Sequence, residues 1–401
     1  MAGNAPHSHH DPATTPVVVA CCRTAIGRAH SERGLFRHVR GDELAAAVVR
    51  AVVERSGVDP LSIEDVVLGA TQQRGELGGN VARTVSLMAG LPLATAGTTV
   101  NRLCGSSLQA LAQACHAIAA GAENVQVVGG VEHMHHLPME SAVDIHPKAF
   151  ARSSRGMLSM GLTAEHLAST HGISRQRQEE YALASHQKAA RADDDGLFDD
   201  EIVRVIGHDE SGSLIEAVRD QSIRADTSLV AMAALEPAFL PKLGTVTAAT
   251  SAPVSDGASA MLVMSQAEAA RQGLAPLARV VATAVVGVPP AAMGTGPIAA
   301  TRKLLARVAP QGISLLDIDM VELNEAFAAQ AIHCIDSLGL DSERVNVRGG
   351  SLAIGHPLGA SGARIATTLL HAMRDGGGRL GLATMCIGLG QGIAVLFERL
   401  E

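Results

Sequence analysis

Tryptophan is absent from this chain, tyrosine occurs once, and aromatics make up only 2% of its 401 residues. A close-packed interior must then be built from Ala, Val, Leu, Ile and Met. Platforms on which nucleobases stack are missing as well. The net charge is −8, with no block of basic residues, so the phosphate-neutralising surface that nucleic-acid binding requires is absent. Any anionic ligand has to be met by local positive charge. No apolar run reaches the ~18–20 residues of a membrane-spanning helix. The six cysteines, at 21, 22, 104, 115, 334 and 386, include no CxxC pair, which removes zinc-ribbon and thioredoxin-type readings. In a reducing cytosol they are expected as thiols. Residues 1–16 are polar and His-rich (His7, His9, His10), with neither the apolar centre of a signal peptide nor the Arg-rich character of a transit sequence. This stretch is expected to be a disordered, solvated tail, and the protein to be cytoplasmic.

The composition is otherwise that of a globular protein, 47% hydrophobic and 18% charged, and the length suffices for two or three domains. Short β-branched runs, Val17–Ala20 and Val66–Gly69, alternate with helical spacing such as Leu44, Ala47, Val48 and Val52. This alternation predicts an α/β fold with a mixed or parallel sheet. Part of the plan recurs: DPLSIEDVVLGA (59–70) has a counterpart in ISLLDIDMVELNEA (313–326), and Val17–Ala20 one in Val280–Ala282. These matches suggest an internal duplication. Residues 136–245 differ, with charged helices and loops rich in Gly, Ser and Pro, and read as an inserted lid or binding region. The expected division is 17–135 with 246–277 as one half, 136–245 as the insertion, and 278–401 as the other half.

Cys104, in NRLCGSSLQA, falls between a β run and a helix whose apolar face is Leu108, Leu111, Cys115 and Ile118. A thiol at a helix start feels unpaired N–H groups and the positive dipole end, which favour thiolate. A small buried hydrophobe is the competing reading. It prevails for Cys115, and for Cys21, Cys22 and Cys334. His356 sits in a Gly-rich loop just before Pro357, a common seat for a functional group. Cys386 closes a strand ahead of the turn IGLGQG, whose glycines expose backbone N–H groups suited to an oxyanion. That spacing is not GxGxxG, and a strand follows, so the signal for a dinucleotide fingerprint is weak. Asn324 lies between a strand and a helix, where an N-cap is its ordinary role.

Taken together, NRLCGSSLQA, NEAFAAQ, GHPLGASGARI and CIGLGQG, in this order, resemble the four signatures of the thiolase family. The likeness runs from about Val17 to the C-terminus. VVGGVEHMHHLPM, MGLTAEHLA and ATMCIGLGQGIAVLFERL are most similar to the degradative branch found in bacterial fatty-acid oxidation complexes. The resemblance implies duplicated βαβαβαββ halves in a layered α/β/α/β/α core with an inserted loop domain. It implies Cys104 as the acylated nucleophile, and His356 as its activator. His356, with a water held by Asn324, would also stabilise the enolate oxygen. Cys386 would be the acid/base, and the N–H groups of Cys104 and Gly388 the oxyanion hole. Coenzyme A enters as substrate rather than cofactor, and no metal is required. Arg224 would approach the nucleotide, Ala238, Phe239 and Ala248 would wall the pantetheine channel, and Met160 and Phe327 would lie near the acyl end. A homodimer or homotetramer is implied, with a hydratase/dehydrogenase subunit as a possible partner.

Some residues depart from the family pattern. Ser159 stands where thiolases of the biosynthetic type carry His, which argues for longer acyl substrates. Ala252 and Pro253 replace the Ser or Gly usual there, which puts coenzyme A contacts at that point in question. Glu132, His133, His135 and His136 could suggest a metal, but Cys partners at zinc spacing are missing. The main alternative is acetyl-CoA acetyltransfer in the condensing direction. A Cys–His hydrolase would leave Cys386 without a role, and a non-catalytic lipid-binding member of the fold should have lost one of Cys104, His356 or Cys386.

Overall fold

The computed structural model describes residues 11–139 and 143–400. Of the tail expected over 1–16, residues up to His10 lie outside the described part. From Asp11 the chain is folded rather than free. The Gln266 and Ala267 N–H groups donate to the Thr15 and Pro12 carbonyls at 2.9 Å each, and the first strand opens at Pro16.

Nine strands carry the architecture: β1 (Pro16–Thr24), β2 (Asp65–Gly69), β3 (Ala96–Val100), β4 (Val125–His133), β5 (Ser255–Ser265), β6 (Ala278–Gly287), β7 (Met320–Leu323), β8 (Leu380–Ile387) and β9 (Gln391–Arg399). Their spatial order is β7-β8-β9-β6-β1-β5-β4-β2-β3. β1 and β6 meet through two residue pairs, Val17 with Arg279 and Val18 with Ala278, and this seam divides the sheet. The two halves share one wiring. β2 runs parallel to β4, and β5 pairs antiparallel with β4 and β1. β7 runs parallel to β8, and β9 pairs antiparallel with β8 and β6. The sequence repeat is visible in three dimensions. In each half a 3-10 turn exposes its leucine, Leu61 at 81% and Leu316 at 90%, and buries the next isoleucine, Ile63 and Ile318 at 3% each, before β2 or β7 begins.

Among the described residues the halves differ at two places: β3 has no counterpart strand in the second half, where only the bridge Val321–Val345 forms beside β7, and one connection is far longer. β8 and β9 are joined by residues 388–390, whereas β4 and β5 are joined by residues 134–254. That excursion holds the helices Met160–Thr170 and Arg175–Asp194 and the hairpin Val205–His208 with Leu214–Ala217. It is anchored to the core rather than loosely appended. Ile202–Val203 pairs with Arg23–Thr24 at the end of β1. The fully buried Arg23 donates to Glu201 at 2.6 Å and to both Asp220 oxygens at 2.7 and 2.9 Å.

Helical periodicity sets the layers. Gly41–Ser56 turns Leu44, Val48, Val49 and Val52 onto the outer face of the first half-sheet. Gly296–Val308 turns Ile298, Ala300 and Leu304 onto that of the second. Between the half-sheets lie Ser106–Ala119 and Leu358–Gly376, the latter buried continuously from Gly359 to Met373. One apolar cluster joins these two helices to Val128 and Met261 on one side and Met385 and Val395 on the other. The result is the α/β/α/β/α layering. The two central helices cross near their N-termini, where Ser107 Oγ accepts from the Ala363 N–H at 2.8 Å. A Cβ on Gly362 would stand 2.7 Å from the Leu108 nitrogen, so only glycine permits this approach.

Removing one partner of a buried ion pair strands the other charge. Asp220→Ala should lower unfolding stability by about 3 kcal/mol, the low end of the range because Glu201 remains. Urea denaturation measures it, and a loss well under 1 kcal/mol would show that the Arg23 cluster is not formed.

Candidate active site

Cys104 emerges from a turn that local hydrogen bonds hold tight. Asn101 Oδ1 accepts from the Leu103 N–H at 2.8 Å, while Ser106 Oγ accepts from the Arg102 N–H at 2.9 Å and donates to the Leu103 carbonyl at 2.6 Å. Leu103 is thereby held at φ 47°, a left-handed conformation rare for a branched side chain. The turn between β8 and β9 does the same to Leu389, at φ 61°. Backbone strain of this kind persists where surrounding structure over-determines it. Here it brings the two turns to one cavity wall, where Cys104 and Gly388 stand together and the Gly388 N–H favours charge on the Cys104 sulfur. Cys104 is partly exposed, whereas the other five cysteines are buried.

The helix-start argument alone favours thiolate, and the structure corrects it. Burial pushes the Cys104 thiol up to about 11, against the pull of the Gly388 and Cys104 N–H groups. Desolvation of a charged sulfur outweighs two hydrogen bonds to it, so the resting group is a thiol. Cys386, at the end of β8, is raised well above the ordinary thiol range by burial and then by the charge Cys104 would carry. The two sulfurs disfavour simultaneous ionisation.

His356 is buried and neutral. Burial and then the Arg364 charge hold its imidazole down at about 3. Its tautomer follows from its neighbours: Ser361 Oγ donates to the Pro357 carbonyl at 2.9 Å, so at 2.6 Å from Nδ1 it accepts the ring N–H. Nε2 keeps its lone pair and faces Asn324 Nδ2 at 3.4 Å. The loop carrying His356 is held at both ends. Ser255 Oγ accepts from the His356 N–H at 3.1 Å, and Glu132 Oε2 accepts from the Gly359 N–H at 2.8 Å and the Thr71 N–H at 3.0 Å. Asn324 does not cap the following helix through its side chain; it turns inward, fully buried.

A cavity of about 100 Å³ brings Cys104, His356, Cys386 and Gly388 together. Its walls are otherwise apolar, with Met134, Met160, Met293, Phe327 and Leu358 among them. A second cavity, of about 290 Å³, is lined by Arg28, His186, Ser222, Arg224 and Ala248. Pro253 borders both, so the segment 248–254 runs from one to the other. Of the expected binding residues, Arg224 and Ala248 therefore lie in the outer cavity, and Met160 and Phe327 in the inner one. Phe239 packs edge-on against Phe327 at 5.9 Å without lining either. Ala238 lines neither; it is exposed, and its N–H donates to the Val246 carbonyl at 2.9 Å. Ala252 and Pro253, where departures from the family pattern left contacts in question, both wall the inner cavity. Ser159 precedes the helix Met160–Thr170 and is not part of either wall.

Sequence reasoning missed Arg28 and His186 at the outer cavity. Burial and then Arg224 lower the Arg28 guanidinium from its ordinary value, and burial and then Arg224 hold His186 at about 4. Two arginines thus face one concavity in an acidic protein. Arg28 closes the two-residue strand Gly27–Arg28, paired with Asp256 and Ser255, and no motif marks it. Glu132, considered for metal, instead clasps backbone N–H groups. Glu76, His133 and His136 do bring ligand-type atoms within 4.8 Å of one another. However, the two rings are stacked at 3.8 Å and 17°, so their in-plane lone pairs run side by side rather than converging on an ion.

Residues 16–267 match the model of the thiolase N-terminal domain, and residues 274–399 that of the thiolase C-terminal domain. A 3-ketoacyl-CoA thiolase of Aliivibrio fischeri is 53% identical over 390 residues, covering 96% of this chain and 99% of the relative. One from Shewanella frigidimarina is 50% identical, with the same coverage. Among solved structures, human mitochondrial 3-ketoacyl-CoA thiolase superposes with a TM-score of 0.88 at 34% identity, covering 97% of this chain and 100% of that one. Bacillus anthracis acetyl-CoA acetyltransferase does so with 0.87 at 37%, covering 96% and 99%.

The raised thiol gives a signed pH dependence. Alkylation of Cys104 by iodoacetamide should be slower than that of a free thiol at neutral pH and keep rising toward about 11. A plateau already reached below pH 7 would show a resting thiolate instead.

Proposed function

Because this chain belongs to the thiolase family, we propose that it cleaves 3-oxoacyl-CoA with coenzyme A, giving acetyl-CoA and an acyl-CoA two carbons shorter. The observation that carries this reading is one apolar cavity that brings together Cys104, the Gly388 turn, a neutral His356 and a second thiol, Cys386. In the first half-reaction His356 Nε2 takes the Cys104 proton and the sulfur attacks C3. The N–H groups of Cys104 and Gly388 meet the tetrahedral oxyanion. The C2–C3 bond then breaks, its electron pair entering the enolate of acetyl-CoA. Protonated His356, with a water held by Asn324, stabilises that enolate oxygen, and Cys386 delivers a proton to C2. In the second half-reaction Cys386 removes the proton of coenzyme A, whose sulfur attacks the acyl carbonyl and expels the Cys104 sulfur, which takes its proton back from His356. A thioester is exchanged for a thioester, so the transfer is close to isoenergetic.

Arg28 and Arg224 supply the local positive charge that phosphates of the nucleotide need, in a protein whose net charge is −8. The segment 248–254 borders the path for pantetheine, and the methionines and Phe327 suit an acyl chain. Degradation is favoured over condensation by the 3-ketoacyl-CoA thiolase relatives at 50% and 53% identity. The acetyltransferase structure, at 37%, keeps the condensing direction as the second reading.

The reading includes a cytoplasmic enzyme that assembles as a homodimer or homotetramer. β3 ends the sheet with an unpaired edge, and the adjoining Leu87, Met88 and Leu93 are exposed, a combination that a second copy would cover. A hydratase/dehydrogenase subunit, which would supply the 3-oxo substrate by oxidising a 3-hydroxyacyl thioester, is the proposed further partner, and co-purification tests it.

Steady-state thiolysis of 3-oxohexadecanoyl-CoA should exceed that of acetoacetyl-CoA in kcat/KM; strong preference for the four-carbon substrate would favour condensation. Asn324→Ala should lower kcat by about 100-fold, the scale of one lost anion-hole donor. Leu87→Glu combined with Met88→Glu should convert the assembly to monomers by light scattering, and an unchanged mass would place the interface elsewhere.

A further inference from the structure

The polar groups behind the site form one chain of donors pointing the same way. Arg364 Nη2 donates to Ser351 Oγ at 2.6 Å. Ser351, its lone pair so occupied, donates its hydroxyl proton to Asn324 Oδ1, also at 2.6 Å. With the amide oxygen taken, Asn324 turns its Nδ2 toward His356 Nε2, and His356 passes the order on through Nδ1–H to Ser361 and the Pro357 carbonyl. Arg364, Ser351, Asn324 and Ser361 are all fully buried, so water is not at hand to replace a missing link. At the head of the chain Arg364 Nη1 stands 3.6 Å from Glu322, and neither group is otherwise satisfied there. The guanidinium is acceptor-free and cannot reverse its bond to Ser351.

We propose that Ser351, oriented by Arg364, is a positioning residue that fixes the Asn324 amide with its N–H face toward His356 and the reacting atoms. This rests on the thiolytic reading given above, and it names what keeps that anion-stabilising donor from turning round. An amide free to flip presents Oδ1 to Nε2. An oxygen there favours the protonated ring and withdraws the donor that the enolate needs. The charged or titratable groups around the ring in this arrangement are Arg364, Glu322, Cys104 and Cys386.

The test uses the full chain with 15N-labelled histidine. In wild type the His356 resonances should report Nδ1–H and a bare Nε2 across the neutral range. In Ser351→Ala they should shift toward a protonated Nε2, the acid limb of kcat should move up in pH, and kcat should fall by about 10- to 100-fold with KM little changed. Ser351→Thr, which keeps the hydroxyl, should restore all three. Asn324→Asp, which makes the flipped oxygen permanent, should reproduce the ring protonation even if Ser351→Ala fails to fold. A Ser351→Ala protein with wild-type histidine resonances and acid limb, or an Asn324→Asp protein with an unprotonated ring, overturns the proposal. The resonances are read without turnover, so absence of thiolysis in wild type would defeat the functional reading alone.

Discussion

The crossing of the two central helices is the contact on which the rest of the site depends. Ser107 bonds to the Ala363 backbone, and Gly362 leaves no room for a side chain beside Leu108. Because the crossing lies within two turns of both helix starts, the loop bearing Cys104 and the loop bearing His356 are forced together. They come from opposite halves of a duplicated sheet, so neither half holds the site alone. Other ties lock the same junction. Glu132, at the end of β4, clasps Gly359 and Thr71, and a Cβ on Gly359 would fall 2.7 Å from the Val131 carbonyl. The small residues of GHPLGASGAR are thus required by packing before any chemistry is considered.

The second constraint is dryness. Burial raises both thiols and lowers the imidazole, so the resting site is neutral. Charge then develops during reaction, where two backbone N–H groups and an amide are already aimed. Preorganised donors are most effective in this setting, because nothing has to reorient when the oxyanion forms. The outer cavity is the reverse case: Arg28 and Arg224 face one concavity, where burial and then the Arg224 charge lower the Arg28 guanidinium from its ordinary value. These two environments are joined along residues 248–254.

Much of this was legible in the residues. Cys104, His356, Cys386 and Asn324 stand in motifs whose glycines and helix starts mark them, and the repeat of residues 59–70 in 313–326 signalled the duplicated sheet. What escaped had physical reasons. The helix-start argument for Cys104 counted local dipoles but not burial, which is a tertiary quantity and reversed the sign. Ser351 and Arg364 lie 13 residues apart, and the bonds from Arg364 to Ser351 and from Ser351 to Asn324 form only when the chain segments meet. Arg28 had no motif, and Ala238 lines neither cavity. Glu132 is discounted as a metal ligand by the sequence, but its clasp on the Thr71 and Gly359 N–H groups is a tertiary feature that the sequence does not mark.

The account stands or falls on the covalent intermediate. Mixing the enzyme with 3-oxohexadecanoyl-CoA in the absence of free coenzyme A, quenching in acid and mapping peptides by mass measures it directly. One tetradecanoyl group should appear on the peptide containing Cys104, in amount equal to the acetyl-CoA released. Acetyl-CoA release with an unmodified Cys104 peptide, or with the acyl group on Cys386, would contradict it.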